Sequence, residues 1–385
     1  MTGTGAAAGR APRAAARGTL AARLPAFPWD RLEPFARIAR SHPGGIVDLS
    51  VGAPVDPVPE VVRAALAAAA DSPGYPLTRG TGELRRAAAG WLARRHAVEL
   101  DPGAVLPVIG TKEFIAWLPC ALGLGPGDRV AHPELAYPTY DIGARLAGAV
   151  PVAADEPDRL PGPPPALAWL NSPANPTGRV LPAARMRELV GWARAAGAVL
   201  ASDECYLDLG FEEAPVSVLH PDVSGGSHSG LLAVFSLSKR SNLAGYRAGF
   251  VAGDPALIAS LLELRRHAGL MVPAPVQAAM TAALGDDEHA RAQRARYGRR
   301  REVLRTALER AGWQIAHSRA GLYLWARRPG SGCWESVRAL AGIGVLASPG
   351  EFYGPGGAGH VRLALTATDE RIAAAAARLG AAAPA

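Results

Sequence analysis

The sequence predicts an α/β fold, a mainly parallel sheet flanked by helices in a large domain, followed by a smaller α+β domain. Three observations predict it. From about residue 60 to residue 270, short apolar, often β-branched runs alternate with longer helical stretches, the pattern of strands joined by crossover helices. From about Pro273 onward the order changes to a long charged helix followed by short strands. Finally, 385 residues with 49% apolar content can bury a core of that size.

In chain order, strands are expected near Val105–Ile109, Arg129–His132, Leu167–Leu170, Ala198–Ser202, Leu232–Ser236 and Ala248–Ala252, because each run is apolar and bounded by turn residues. Helices are expected over Glu83–His96, Glu113–Leu122 and Ala183–Ala196. The second lobe should hold a helix over Glu288–Arg310 and strands near Gln314–His317, Tyr323–Ala326, Val345–Ala347 and His360–Ala364. This divides the chain into a disordered extension (1–23), a segment packing on the small domain (24–55), a large domain (56–272) and a small one (273–385).

Composition narrows the function. The formal charge is +7, but Arg10, Arg13, Arg17 and Arg23 lie in an acid-free start, and no nucleic-acid-binding signature accompanies the rest. No apolar run approaches the roughly 20 residues of a membrane span. Cys120, Cys205 and Cys333 are odd in number and widely spaced, which suggests neither disulfides nor a metal site and fits a cytoplasmic protein. The Arg-rich start lacks the compact apolar segment of a secretory signal.

Of the 41 Lys and Arg residues, only Lys112 and Lys239 are lysine. Arginine stays protonated, whereas a desolvated lysine can attack a carbonyl and form a Schiff base. Lys239 follows the strand ending at Ser236, beside Ser238 and with Arg247 eight residues on. Ligands of parallel sheets bind beyond the carboxyl ends of strands. An aldehyde that also carries a phosphate suits this group, and pyridoxal 5′-phosphate is that molecule.

The other strand ends supply companions. Asp203 can keep a ring nitrogen protonated, with Tyr206 three residues on in reach of the ring's phenolic oxygen. Asn175, in the rigid turn Asn171-Ser172-Pro173-Ala174-Asn175-Pro176, can serve that oxygen and a substrate carboxylate. Thr111 and Lys112 open a helix whose backbone N–H groups suit a phosphate. An ammonium beside phosphate stays protonated, so Lys239 is the better nucleophile. Tyr137 either stacks on the pyridine or packs in the core. Arg362, inside an apolar strand, either grips a substrate carboxylate or forms a structural salt bridge.

Taken together, these motifs resemble the class I/II aminotransferases of fold type I, which use pyridoxal phosphate. The resemblance implies that Lys239 bonds the cofactor and then shuttles a proton, and that Asp203, Asn175 and Tyr206 hold the ring. It places Thr111, Lys112, Ser236, Ser238 and Arg247 on the phosphate, with catalytic roles for Lys239, Asp203 and Tyr137. Tyr75, in Gly74-Tyr75-Pro76, resembles the tyrosine that reaches the phosphate of a neighbouring subunit, which implies a homodimer with shared sites. Gly52 resembles the glycine whose backbone approaches the substrate carboxylate beside Arg362.

The runs Ser236-Leu237-Ser238-Lys239-Arg240-Ser241-Asn242 and Ser348-Pro349-Gly350-Glu351-Phe352-Tyr353-Gly354 are most similar to the actinobacterial succinyldiaminopimelate aminotransferases of lysine biosynthesis. The implied reaction takes N-succinyl-2-amino-6-ketopimelate and glutamate to N-succinyl-LL-2,6-diaminopimelate and 2-oxoglutarate. Another aminotransferase of aromatic, aspartate or histidinol-phosphate type, or a β-eliminating lyase on the same cofactor, is the alternative reading. Expected partners are small amino and oxo acids, with no nucleic acid, membrane or metal.

Overall fold

The computed structural model describes residues 19–382. The expected extension therefore lies outside the described residues up to residue 18, and Leu20–Arg23 forms a 3-10 turn. Thirteen strands are described: β1 (Val47–Asp48), β2 (Val105–Ile109), β3 (Arg129–His132), β4 (Val150–Ala153), β5 (Leu167–Asn171), β6 (Val199–Asp203), β7 (Leu231–Ser236), β8 (Ala248–Gly253), β9 (Gln314–Ala316), β10 (Tyr323–Arg327), β11 (Val345–Leu346), β12 (Ser348–Pro349) and β13 (Val361–Ala364).

Seven of them build one sheet in the order β2-β8-β7-β6-β5-β3-β4. Strands β3 to β7 pair in parallel, and β8 runs antiparallel to both of its neighbours. The central strands read as unbroken apolar runs because both faces are covered. Ala168, Leu170, Ala233 and Phe235 face helices Gly82–His96 and Ala183–Ala196, whereas Leu167, Trp169, Leu232 and Val234 face helices Thr111–Ala121 and Thr139–Ala147. Alternate residues thus enter opposite core layers, as the pleat requires.

The second lobe holds the antiparallel sheet β12-β13-β10-β9 and the parallel pair β1-β11. Through Val47↔Val345 and Asp48↔Leu346, the segment that precedes the large sheet lies on this lobe. Helix Glu288–Arg310 contributes Tyr297, Leu304 and Leu308 to its core. The same helix ties back to the chain near residue 56, since Arg300 donates two bonds to Asp56 at 2.8 and 2.6 Å and one to Asp369 at 2.6 Å.

Helix Ala274–Gly285, just past the division expected at 272/273, buries Ala279, Met280, Ala283 and Leu284 in the core layer that covers the large sheet.

Asn171, Asp203 and Ser236 end the three adjacent parallel strands β5, β6 and β7, and Asn171 and Asp203 are register partners. The polar ends of these strands face one side of the sheet edge, where the cavity opens.

Candidate active site

A cavity of about 1080 Å³ lies over those strand ends, walled on its far side by the second lobe. Of the residues singled out in the sequence, it collects Gly52, Thr111, Lys112, Tyr137, Asn175, Asp203, Tyr206, Ser236, Ser238, Lys239, Arg247 and Arg362. Tyr75 is outside it, 98% exposed on its own chain.

Lys239 sits on the one-turn helix Leu237–Arg240, which begins where β7 stops. Ser236 caps that turn, its hydroxyl accepting the Ser238 backbone N–H at 3.1 Å. Ser236 and Ser238 are both buried at the turn, and Lys239 is half-buried beside them.

Across from the turn, Gly110, with φ +71, links β2 to helix Thr111–Ala121. A Cβ on Gly110 would collide with the Arg247 guanidinium, so glycine is what lets that cation lie over the helix start. Arg247 itself has φ 55, and its Nη1 donates to the Ala244 carbonyl at 2.8 Å. Backbone N–H groups of a helix start, the Thr111 hydroxyl and a guanidinium together form a cradle for a dianion.

The Asp203 carboxylate is 5% exposed. Its Oδ2 accepts the Tyr140 hydroxyl at 2.8 Å, and its Oδ1 accepts the Cys205 backbone N–H at 3.1 Å. Burial raises its pKa above the ordinary carboxylate value, opposed by those two hydrogen bonds and by the Lys239 ammonium. Such a carboxylate suits a buried cation, and a protonated ring nitrogen is one. Asn171 braces the floor: its Nδ2 donates to the Asp203 carbonyl at 2.9 Å, and its Oδ1 accepts the Asn175 N–H at 2.7 Å. The Ser172–Pro173 and Asn175–Pro176 bonds are both cis.

Arg362, 3% exposed on β13, resolves one alternative. No carboxylate among the described residues pairs with it. Its Nη1 donates to Asn175 Oδ1 at 2.9 Å, its Nη2 to the Ser50 carbonyl at 2.7 Å, and its Nε has no partner. The guanidinium lies 3.9 Å from the Tyr323 ring centre and 4.8 Å from that of Tyr353. A buried guanidinium held only by neutral oxygens and aromatic faces is suited to an incoming carboxylate. Gly52 lies against the same tyrosine, since a Cβ there would collide with the Tyr323 hydroxyl.

Tyr206 shares a 3.0 Å hydrogen bond with the Tyr323 hydroxyl. Tyr137 is packed edge-on against Tyr140, with ring centres 6.0 Å apart, and burial pushes its pKa up to about 12. Tyr140 and Tyr323 carry no role in the sequence reading, although Tyr140 stands in Tyr137-Pro138-Thr139-Tyr140. Neither its stacking on Trp169 at 5.1 Å nor its bond to Asp203 has a local sequence signal. Lys112 Nζ lies 5.7 Å from the Phe27 ring centre at the cavity rim.

These residues fit pyridoxal 5′-phosphate: an amine, a buried carboxylate awaiting a cation, and an anion cradle that a Cβ would fill. Among the described residues, no His, Cys, Asp and Glu group is arranged to hold a metal ion, and no helix is long and apolar enough to cross a membrane.

The family model described as aminotransferase class I and II matches residues 45–379. Among curated relatives, the chain is 61% identical to "4-dedimethylamino-4-oxo-anhydrotetracycline transaminase OxyQ" of Streptomyces rimosus, over 92% of this chain and 99% of that one. It is 60% identical to "Probable aminotransferase Rv1178" of Mycobacterium tuberculosis, over 95% and 88% respectively. Among solved structures, a "probable N-succinyldiaminopimelate aminotransferase" from Thermus thermophilus superposes with a TM-score of 0.83 at 33% identity, covering 92% of this chain and all of that one.

Proposed function

The chain belongs to the class I and II aminotransferases, enzymes that work with pyridoxal 5′-phosphate, and from that premise we propose that it transfers the amino group of glutamate to N-succinyl-2-amino-6-ketopimelate. The products are N-succinyl-LL-2,6-diaminopimelate and 2-oxoglutarate. The observation that carries this reading is a cavity of about 1080 Å³ in which Arg31, Lys112, Arg145, Lys239, Arg247 and Arg362 outnumber Glu134, Asp141, Asp203 and Glu351. With Arg362 assigned to the carboxylate at the reacting carbon and Arg247 to the phosphate, Lys112 also lines the space, as do Arg31 and Arg145, which pair with Glu351 and Asp141. The acceptor brings two further carboxylates, on the pimelate chain and on the succinyl group. The printed name of the Thermus thermophilus neighbour supports the same substrate class.

In this reading Arg362 and Asn175 orient the substrate by its carboxylate, so that the Cα–H bond stands perpendicular to the ring plane. When bound, the cofactor supplies an electron sink conjugated to Cα. Lys239 Nζ would take up the Cα proton and carry it to the other side of the transferred nitrogen. Asp203, oriented by Tyr140 and the Cys205 N–H, would supply the counter-charge to a protonated ring nitrogen. Tyr206 and Asn175 would donate to the ring oxygen, while Thr111, Ser236, Ser238 and Arg247 would hold the phosphate. The two half-reactions share one site, so the first oxo acid leaves before the acceptor enters.

The working unit in this proposal is a homodimer. Tyr75 and Leu77, 98% and 58% exposed on their own chain, form an aromatic and aliphatic edge that a second copy would cover, with Tyr75 reaching that copy's phosphate.

One observation favours a second reading. Phe27, Trp29 and Phe352 wall the cavity as one aromatic surface, with Trp29 and Phe352 ring centres 5.3 Å apart, which suits a flat polycyclic ketone of the kind in the OxyQ name. A panel of oxo acids with glutamate, read by 2-oxoglutarate production, separates the two. Turnover of the succinylated ketopimelate supports the first reading, and turnover of a polycyclic ketone alone replaces it.

A further inference from the structure

A one-turn helix has no stability of its own, because nucleation is unfavourable and only one or two intrahelical bonds form. The direction of Lys239 on helix Leu237–Arg240 must therefore be set from outside the turn. The lysine's own amine is a poor place to anchor it, since a side chain that bonds the cofactor and later moves a proton has to swing. Arg240, one position on and so rotated by roughly 100° about the helix axis, points away from the cavity into the core.

There its Nε and Nη1 are bonded, while its buried Nη2 has no partner. Its Nε donates to Asp208 Oδ2 at 2.6 Å, and its Nη1 donates to the Ser241 hydroxyl at 3.2 Å and to the Ala283 carbonyl at 3.1 Å. The guanidinium lies 5.3 Å from the Trp91 ring centre. Asp208 Oδ1 in turn meets His96 Nε2 at 3.1 Å, and Ser241 meets His289 Nε2 at 2.8 Å, with His289 Nδ1 on Asp286 at 3.0 Å. The Arg240 and Asp208 side chains are 5% and 8% exposed. Although burial raises it, His96 and Arg240 hold the Asp208 carboxyl well below its ordinary range, so the pair stays ionic. Helices Gly82–His96, Ala274–Gly285 and Glu288–Arg310 thus all converge on the residue after Lys239.

We propose that Asp208 and Arg240 are positioning residues: their ion pair fixes the rotation of the turn and so aims Lys239 into the cavity. The inference rests on Lys239 as the cofactor-bearing lysine, which the parent enzyme tests separately. A shift of about 1 Å at a reacting group lowers rate on the order of 100-fold. The carboxylate site at Arg362 and the phosphate cradle at Gly110 stand on other elements, so binding should survive.

The test compares parent, Asp208→Asn and the charge-free pair Asp208→Asn/Arg240→Met as holoenzymes. It measures kcat and KM for glutamate, cofactor content, thermal unfolding, and the fraction of bound cofactor that borohydride fixes to Lys239. In a folded Asp208→Asn enzyme, kcat falls on the order of 100-fold, with KM and cofactor content within about twofold, and the fixed fraction drops with kcat. The double variant covers the case in which a lone buried charge unfolds the single one, since removing both charges can leave a fold intact. If it melts like the parent yet keeps the low kcat and low fixed fraction, the positioning role stands. If either folded variant matches the parent in both readouts, the proposal is overturned. Loss of fold in both variants assigns the pair to stability and overturns it as well. Absence of tag from Lys239 in the parent would instead overturn the assignment on which it rests.

Discussion

Arg362 donates to the side-chain oxygen of Asn175 at 2.9 Å, joining the last strand of the small lobe to the loop after β5 of the large one. The proposed carboxylate site therefore exists only where the two lobes meet. Arg362→Leu removes the buried cation, and truncating a buried charge partner costs about 2–5 kcal/mol of binding. Steady-state kinetics should show the KM for glutamate rising at least about 30-fold. An unchanged KM would mean that the carboxylate docks elsewhere.

Hydrogen bonds from Tyr140 and the Cys205 N–H oppose the burial that raises the Asp203 pKa. Tyr140→Phe removes one hydrogen bond to a charged acceptor, a loss of about 1.5–3 kcal/mol. The Asp203 pKa then rises further, so the acid limb of the kcat/KM profile moves to higher pH. Asp203→Asn, which cannot be an anion at any pH, should lower kcat far more than Tyr140→Phe. Equal effects of the two substitutions would remove the charge argument.

Glu204 gives a stability prediction with a definite sign. Burial pushes its pKa up to about 7 from an ordinary 4.5, while Oε1 accepts the Val218 N–H at 2.7 Å and Oε2 has no partner. A raised pKa in the folded state contributes stability that is complete below pH 4.5 and is lost as pH rises through 7. Glu204→Gln cannot ionise, so at pH 8 it should be more stable than the parent by about 3 kcal/mol, with little gain at pH 4. Urea unfolding of the cofactor-free protein at the two pH values checks this, and a pH-independent difference would contradict it.

Tyr75 tests the shared site. If its hydroxyl serves the neighbouring subunit, Tyr75→Phe should weaken cofactor binding by about 1.5–3 kcal/mol, the worth of a hydrogen bond to a charged group. Sedimentation should still find a dimer. Cofactor titration that does not distinguish the variant from the parent would confine Tyr75 to packing.

The sequence made the centre of the large sheet legible because β5, β6 and β7 are buried on both faces and leave nearly unbroken apolar runs. The chemistry at their ends was legible for the same reason, since a polar residue that follows such a run emerges at the sheet edge. Strand β4 was not foreseen: it is an edge strand with exposed ends and Pro151 in its middle, so its pattern is weak. The small apolar residues of helix Ala274–Gly285 name no partner, and only packing places it on the large sheet. Tyr140, Tyr323 and Asp208 act across 63, 117 and 32 residues of chain on Asp203, Tyr206 and Arg240, and no local pattern encodes such pairings. The alternatives left open for Arg362 needed its surroundings, where neutral oxygens take the place of a carboxylate.

The proposed site depends on a covalent bond from the cofactor to Lys239, one of only two lysines in the chain. Borohydride reduction of the holoenzyme followed by peptide mapping measures it directly. One pyridoxyl tag per chain is expected on the peptide containing Lys239 and none at Lys112. A tag found on Lys112, or a Lys239→Arg enzyme that transaminates at the parent rate, would contradict it.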